Sequence, residues 1–186
     1  MTLRNTTIRY GSIAIFFHWI IAFSVIGMLL FGFFMDVFPK GEIRTSAINV
    51  HKLIGLIILC LMILRMAWTI SNVKPLFPAE LPAWQHYAER TGHLLFYILL
   101  IAMPISGWVM STADDKAPHF FQHIIAAPWI TPNKETSDLF WTFHSKLAWI
   151  IVAFIILHVL AALKHHFINK DNILKRMWFT RDSIND

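Results

Sequence analysis

The chain is short of the residues that hold soluble or secreted domains together. It has a single cysteine, Cys60, among 186 residues. One thiol excludes an intramolecular disulfide framework, a CxxC metal site and any cofactor attached through paired cysteines. Acidic side chains are few, 11 against 16 lysines and arginines, so the formal charge is +5 and its location becomes informative. Internal repeats and low-complexity segments are lacking. So is a small-x-small cleavage site: the first apolar run follows Arg4 and Arg9 as a signal peptide would, yet VIGMLLFGFFMDVFP is too long and offers no such site. It is expected to be a retained helix.

What is present is apolar surface. Hydrophobic residues make up 56% of the chain, with 16 phenylalanines and 8 tryptophans, and the mean hydropathy is +0.56, too apolar for a soluble domain of this size. Roughly 20 residues at 1.5 Å rise cross a bilayer as a helix. Four stretches qualify, near residues 12–35, 48–70, 90–111 and 143–167. The expected fold is an all-α membrane protein, one domain over residues 1–186 built as a four-transmembrane-helix bundle. Phe38-Pro39-Lys40-Gly41 turns the chain after the first helix, and Pro75, Pro78 and Pro82 stiffen the second joint. Pro104 with Gly107 predicts a kink in the third helix. The long link from Thr112 to Thr142 carries HFFQH, read as a short interfacial helix dipping aromatics into headgroups. His119 and His123, one turn apart on such a helix, are a metal-pair alternative.

Four spans put both termini on one side. That side holds Arg4, Arg9, Arg65, Lys74, Arg90, Lys164, Lys170, Lys175, Arg176 and Arg181; the other holds Lys40, Arg44, Lys52, Lys116, Lys134 and Lys146. The positive excess predicts cytoplasmic termini. Asp36, Glu42, Asp114, Asp115, Glu135 and Asp138 cancel the opposite six, so the excess serves topology and lipid headgroups and not nucleic acid.

Ionisable side chains inside a membrane are costly and usually functional. Of ten histidines, seven fall within these bounds; His93, His165 and His166 lie at the inner span ends, and the four read as membrane-embedded are His18, His51, His144 and His158. By the helical rise, His18 and His158 share the inner half, and His51 and His144 lie about one turn inside the outer ends of their helices. His144 and His158 are fourteen residues apart, nearly four turns, so they point the same way about 20 Å apart. Two stacked sites are expected, each an imidazole pair from two helices. Neutral imidazole is a good ligand for iron, and haem iron held on both axial faces by histidine suits electron transfer. Gly55, Ala161 and Ala162 beside the ligands would leave room for a flat macrocycle, and Arg65 is a candidate for haem propionates. Membership of a proton path in a non-redox helical protein is the competing reading of the same histidines.

The segments RYGSIAIFFHW, INVHKLIGLIIL, GHLLFYILLIAMPISG and LHVLAALKHHFINKDNILKRM closely resemble the bacterial four-helix cytochrome b561 family, in particular its superoxide oxidases. The resemblance covers the whole chain and implies a protein of the bacterial inner membrane with two haem b groups, moving electrons between periplasmic superoxide and ubiquinone. On it the haem ligands fall on His18 with His158 and on His51 with His144, the pairs chosen by depth. An acceptor quinone needs an apolar pocket open to lipid and a polar group for its carbonyls. His93 and His165, at the inner ends of the third and fourth helices, are the candidates, and the resemblance also suggests a quinone contact there. His86 and His166 are read as solvated. For the anionic donor, Arg44, Lys52 and Lys146 are the nearby cations. A cytochrome b carrier or anchor fed by a redox partner protein, with the long outer link as docking surface, remains the alternative function.

Overall fold

A computed structural model describes residues 2–76 and 82–178; Pro78 and Arg181 lie outside the described residues. Four long helices dominate: α1 (Ser12–Phe33), α2 (Glu42–Ile70), α3 (Ala83–Ala113) and α4 (Lys134–Lys164). All four are long and apolar enough to cross a membrane. In hydrocarbon a backbone that cannot bond to water must bond to itself, which is why each apolar run closes into a helix. The starts are local. Gly41, at φ 109°, adopts a backbone conformation closed to most side chains and lets the chain turn into α2. The Asn133 side chain accepts from the Thr136 N–H and caps α4.

The third and fourth helices pack most closely, followed by the second against the third and the first against the second. The core is a small midplane cluster, Ile21 and Val25 of α1, Ile58 and Met62 of α2, Leu147 and Ile151 of α4, with Tyr97 and Leu100 of α3 against it. At most 17% of any span's apolar window is buried inside the protein. Phe23, Ile57, Ile98, Trp149 and Leu157 point outward. Lipid is as apolar as these side chains, so what holds the helices together is close packing and interhelical hydrogen bonding, not removal of surface from water. Cys60 is exposed on the same lipid-facing surface.

The helices outrun their apolar stretches. α2, α3 and α4 begin about two turns before the predicted spans, because hydropathy detects only the part of a helix that contacts lipid. His51 and His144 therefore lie more than two turns inside their helices, not one. α4 does not simply stop: it passes at Lys164 into a π-helical turn, His165–Asn169, and then into left-handed Lys170 at φ 56°.

The N-terminal segment, the α2–α3 link and the C-terminal segment meet at one end of the bundle. Asn5 donates to the Val73 carbonyl at 2.9 Å and Leu76 N–H to Thr7 at 2.7 Å. Arg176 donates to Leu76 at 2.6 Å, and Trp19 Nε1 to Met177 at 2.8 Å. This is the termini end. At the other end HFFQH is not a helix but a two-stranded antiparallel hairpin, β1 (His119–Phe120) with β2 (His123–Ile124). Asn49 clips it to α2, donating to the His119 carbonyl at 2.8 Å and accepting from its N–H at 2.9 Å. In this register His119 faces Ile124 and Phe120 faces His123, which sends the two histidines to opposite faces. Their pairing on a metal, which required a helical turn, is thereby overturned.

Candidate functional site

The membrane-embedded site follows from one repeat along every helix. Fourteen residues, nearly four turns, separate His18 from Gly32 on α1, His51 from Arg65 on α2, His93 from Gly107 on α3 and His144 from His158 on α4. Two layers result, about 21 Å apart along the axis, with the midplane core between them. The hairpin-end layer contains His51, His144, Gly32 and Gly107. The termini-end layer contains His18, His158, Arg65 and His93.

In each layer two imidazoles from different helices face each other. The ring centres of His51 and His144 are 6.4 Å apart and those of His18 and His158 are 6.2 Å apart. An iron atom held between two imidazole nitrogens by bonds of about 2 Å separates the ring centres by about 6 Å, so both pairs fit. The donor count points the same way. Among the described residues no group of three or more histidines, cysteines or carboxylates converges. Each pair thus offers two ligands only, the set that suits a porphyrin-held iron and not the three or four protein ligands of zinc.

The hairpin-end pair is shaped by backbone. A Cβ on Gly107 would stand 3.0 Å from His144 Cε1, and one on Gly32 would stand 3.3 Å from His51 Cε1. Both rings therefore lean on helix surfaces where any added side chain would make them give way by a few tenths of an ångström. His144 Nδ1 is 3.0 Å from the Met103 carbonyl and 2.9 Å from Ser106 Oγ, whose hydroxyl itself donates to Met103 at 2.7 Å. A carbonyl only accepts, so Nδ1 carries the proton and Nε2 keeps its lone pair, as a metal-binding histidine requires. His51 Nδ1 is buried with no hydrogen-bond partner among the described residues, and Phe31 packs against its ring at 5.8 Å. A Cβ on Gly55 would meet nothing within 4 Å, which leaves open the space expected beside it.

The termini-end pair is shaped by side chains. Arg65 Nη2 lies 3.4 Å from His18 Nδ1, and the edges of Phe96 and Trp19 meet His158 and His18 at 5.2 and 5.3 Å. His93 is within electrostatic reach of both histidines. Its Nδ1 pairs with Glu89 at 2.7 Å. His165, seven residues past His158, stands about 10 Å nearer the end. There Nδ1 meets Asp171 Oδ2 at 2.5 Å. Neighbouring Tyr10 is pushed up from its ordinary value by burial first and by the Glu89 carboxylate second, against the opposing pull of Arg65 and Arg176. His166 is half-buried, and its Nδ1 is covered with no hydrogen-bond partner among the described residues. His86 is half-buried and engaged with neighbours.

A cleft of about 490 Å³ runs along α3, lined by Leu94, Tyr97, Ile98, Ala102, Met66 and Phe143. It is apolar and begins one residue beyond His93. At the hairpin end the expected cations are mostly engaged. Arg44 bonds Asp36 and the Met35 carbonyl, and Lys52 Nζ donates to the Lys116 carbonyl at 2.5 Å. Lys146 is exposed and makes no hydrogen bond or ion pair with the described residues; two positions past His144 along a helix, it points to nearly the opposite side.

Ser106, the Met103 carbonyl, Gly32, Gly107, Glu89 and Asp171 were not picked out from the sequence as parts of these sites. The glycines left a signal in the fourteen-residue spacing; the others acquire a role only through what they touch.

Residues 9–180 match the family model described as prokaryotic cytochrome b561. Cytochrome b561 homolog 2 of Escherichia coli (strain K12) is 35% identical, the match covering 95% of this chain and 95% of the relative. Cytochrome b561 homolog 1 of the same organism is 32% identical over 91% of this chain and 96% of the relative. The probable superoxide oxidase CybB of Yersinia pestis is 29% identical over 91% and 95%. With the whole bundle covered and two imidazole pairs at its heart, the chain belongs to the prokaryotic cytochrome b561 family of membrane-embedded haem b electron-transfer proteins.

Proposed function

We propose that the protein carries electrons along the bundle from the hairpin end to the termini end through two haem b groups, one held by His51 and His144, the other by His18 and His158. The donor is periplasmic superoxide and the acceptor ubiquinone in the bilayer. Both termini then lie in the cytoplasm and the hairpin in the periplasm of a bacterial inner membrane, as the distribution of basic residues favours. The observation that carries this reading is the pair of facing imidazoles at two depths, 6.2 and 6.4 Å between ring centres.

When bound, each haem would supply a one-electron iron couple, with the two imidazoles of its layer as the residues that would hold it. Met103 and Ser106 fix the tautomer and tilt of His144. Gly107 and Gly32 let the rings sit at the helix surfaces. Arg65 places a cation where propionates or a gained electron can use it. Ile21, Val25, Ile58, Met62, Leu147 and Ile151 fill the space between the layers and exclude water. On the acceptor side, the apolar cleft along α3, whose lining starts at Leu94, next to His93 in sequence, is the space offered to a lipid-soluble quinone. Two hydrogen bonds of about 2.8 Å on either side of a quinone ring span about 10 Å, similar to the axial offset between His93 and His165. An upright ring can thus present one carbonyl to each imidazole.

On the donor side, Lys52 beside His51 and Arg44 above it are the cations that face a small anion. Their engagement with Lys116 and Asp36 favours a second reading, in which a partner protein docks at the hairpin end and feeds the same pair of centres. Haem quantification with spectra before and after a superoxide pulse decides. Two b-type haems per chain that reduce with superoxide and reoxidise with ubiquinone support the first reading. Two haems inert to superoxide support the partner-fed carrier, and absence of haem from the purified protein overturns both.

A further inference from the structure

His93 and His165 share one feature: each ring has a carboxylate on Nδ1. Glu89 bonds His93 at 2.7 Å and Asp171 bonds His165 at 2.5 Å. The first pair needs only a helix, because Glu89 and His93 are one turn apart on α3. The second needs the helix to be abandoned. α4 opens into the π-turn His165–Asn169, Lys170 takes a left-handed conformation that non-glycine residues avoid, and Asp171 folds back under His165. Asp171 is itself held there, its Oδ1 accepting from the Ile173 N–H at 3.0 Å and its own N–H reaching the His165 carbonyl at 3.2 Å. Local backbone distortion of this kind is kept where a side chain has to be aimed. Both side chains of the second pair are mostly covered, 15% and 19% exposed, so the contact is not a passing surface ion pair.

We propose that Glu89 and Asp171 are positioning residues that hold His93 and His165 as two proton donors to a quinone bound at the termini end. This rests on the quinone reading above. A carboxylate on Nδ1 sets the ring's orientation, stabilises the imidazolium and directs Nε2–H away from itself toward the ligand. Reduction of a quinone consumes two electrons and two protons. The electrons arrive one at a time from the termini-end centre. At each carbonyl oxygen an O–H bond forms as the Nε2–H bond of one imidazolium breaks, and the neutral ring regains its proton from water at the termini end. His165, about 10 Å nearer that end than His93, serves the outer carbonyl, and His93, level with His158, the inner one. Charge, protons and electrons balance at the quinol.

The test uses the full-length haem-loaded protein, reduced anaerobically with limiting dithionite and mixed with ubiquinone-1, with haem reoxidation followed by absorbance. Asp171→Asn and Glu89→Gln should each slow reoxidation at saturating quinone about tenfold. Haem content, spectra and the half-saturating quinone concentration should stay as in the parent, and Asp171→Glu should regain part of the rate. If Asp171→Asn loses haem because its turn is lost, Glu89→Gln, which leaves the α3 backbone untouched, carries the test. Parental rates in both variants, or a changed half-saturating concentration with an unchanged maximal rate, overturn the proposal and leave the quinone reading standing. Failure of the parent protein itself to be reoxidised by ubiquinone-1 overturns the quinone reading, and this inference with it.

Discussion

The two ends of the bundle hold the same pair of imidazoles by opposite means. At the hairpin end His51 and His144 rest on glycine backbone, and the ring proton of His144 goes to a main-chain carbonyl. At the termini end His18 and His158 have an arginine, a third histidine and two aromatic edges around them. Position for position, the fourteen-residue register puts Gly32 and Gly107 in one layer where the other has His18 and His93. One centre is therefore tuned by how closely helices approach, the other by side-chain charge. Change of volume should injure the first, and change of charge the second.

The largest expected effect is loss of one centre at a time. Gly107→Val puts branched carbon where a single Cβ would already be 3.0 Å from His144. The purified variant should contain about one haem in place of two, and His158→Ala or His18→Ala should remove the other one. Retention of both haems in any of the three variants breaks the comparison. Next in size, Arg65→Met removes a cation that favours the form holding one more electron. One of two midpoint potentials should fall by about 60 mV, a tenfold change for a single electron, while the second stays; equal movement of both would place Arg65 between the layers. Smaller again is Ser106→Ala. The Met103 carbonyl still accepts from His144, so denaturant titration followed at the hairpin-end haem should show a loss of about 1 kcal/mol.

Smallest is the effect of mild acid on the hairpin end. The hydrogen bond from Lys116, first among its causes, holds the Asp114 carboxyl below the ordinary carboxylate range. A carboxylate so lowered contributes stability above its unfolded value and loses it only as pH falls through the lower folded value. The protection of residues 114–124 against hydrogen exchange, taken relative to the intrinsic rate at each pH, should therefore be the same at pH 7 and pH 5, and fall only in stronger acid. Loosening already at pH 5 would show that the Lys116 contact does not persist in solution.

Much of this could be read along the chain. Apolar length marked four helices, because lipid allows the backbone no other way to satisfy itself there. Depth and phase put His18 level with His158 and His51 level with His144, since rise and turn are properties of one helix at a time. The polar first turns of α2, α3 and α4 were missed, because hydropathy follows the lipid contact and not the helix. HFFQH was misread for a related reason: four-residue spacing implies a helical pair only if the segment is helical, and Asn49, seventy positions away in sequence, stabilises a hairpin instead.

The membrane class, the number of spans and the two depths at which imidazoles are stacked were legible in the order of residues. Each of these depends on periodicities of a single stretch of chain. Tertiary packing, by contrast, set Gly107 and Gly32 as the surfaces on which His144 and His51 rest, the Met103 carbonyl as the acceptor of the His144 Nδ1–H hydrogen bond, and the π-turn that returns Asp171 to His165. Those outcomes depend on the rotation of one helix against another and on how a helix ends. Interhelical contacts of a few ångströms set them, and no pattern within one segment encodes such contacts.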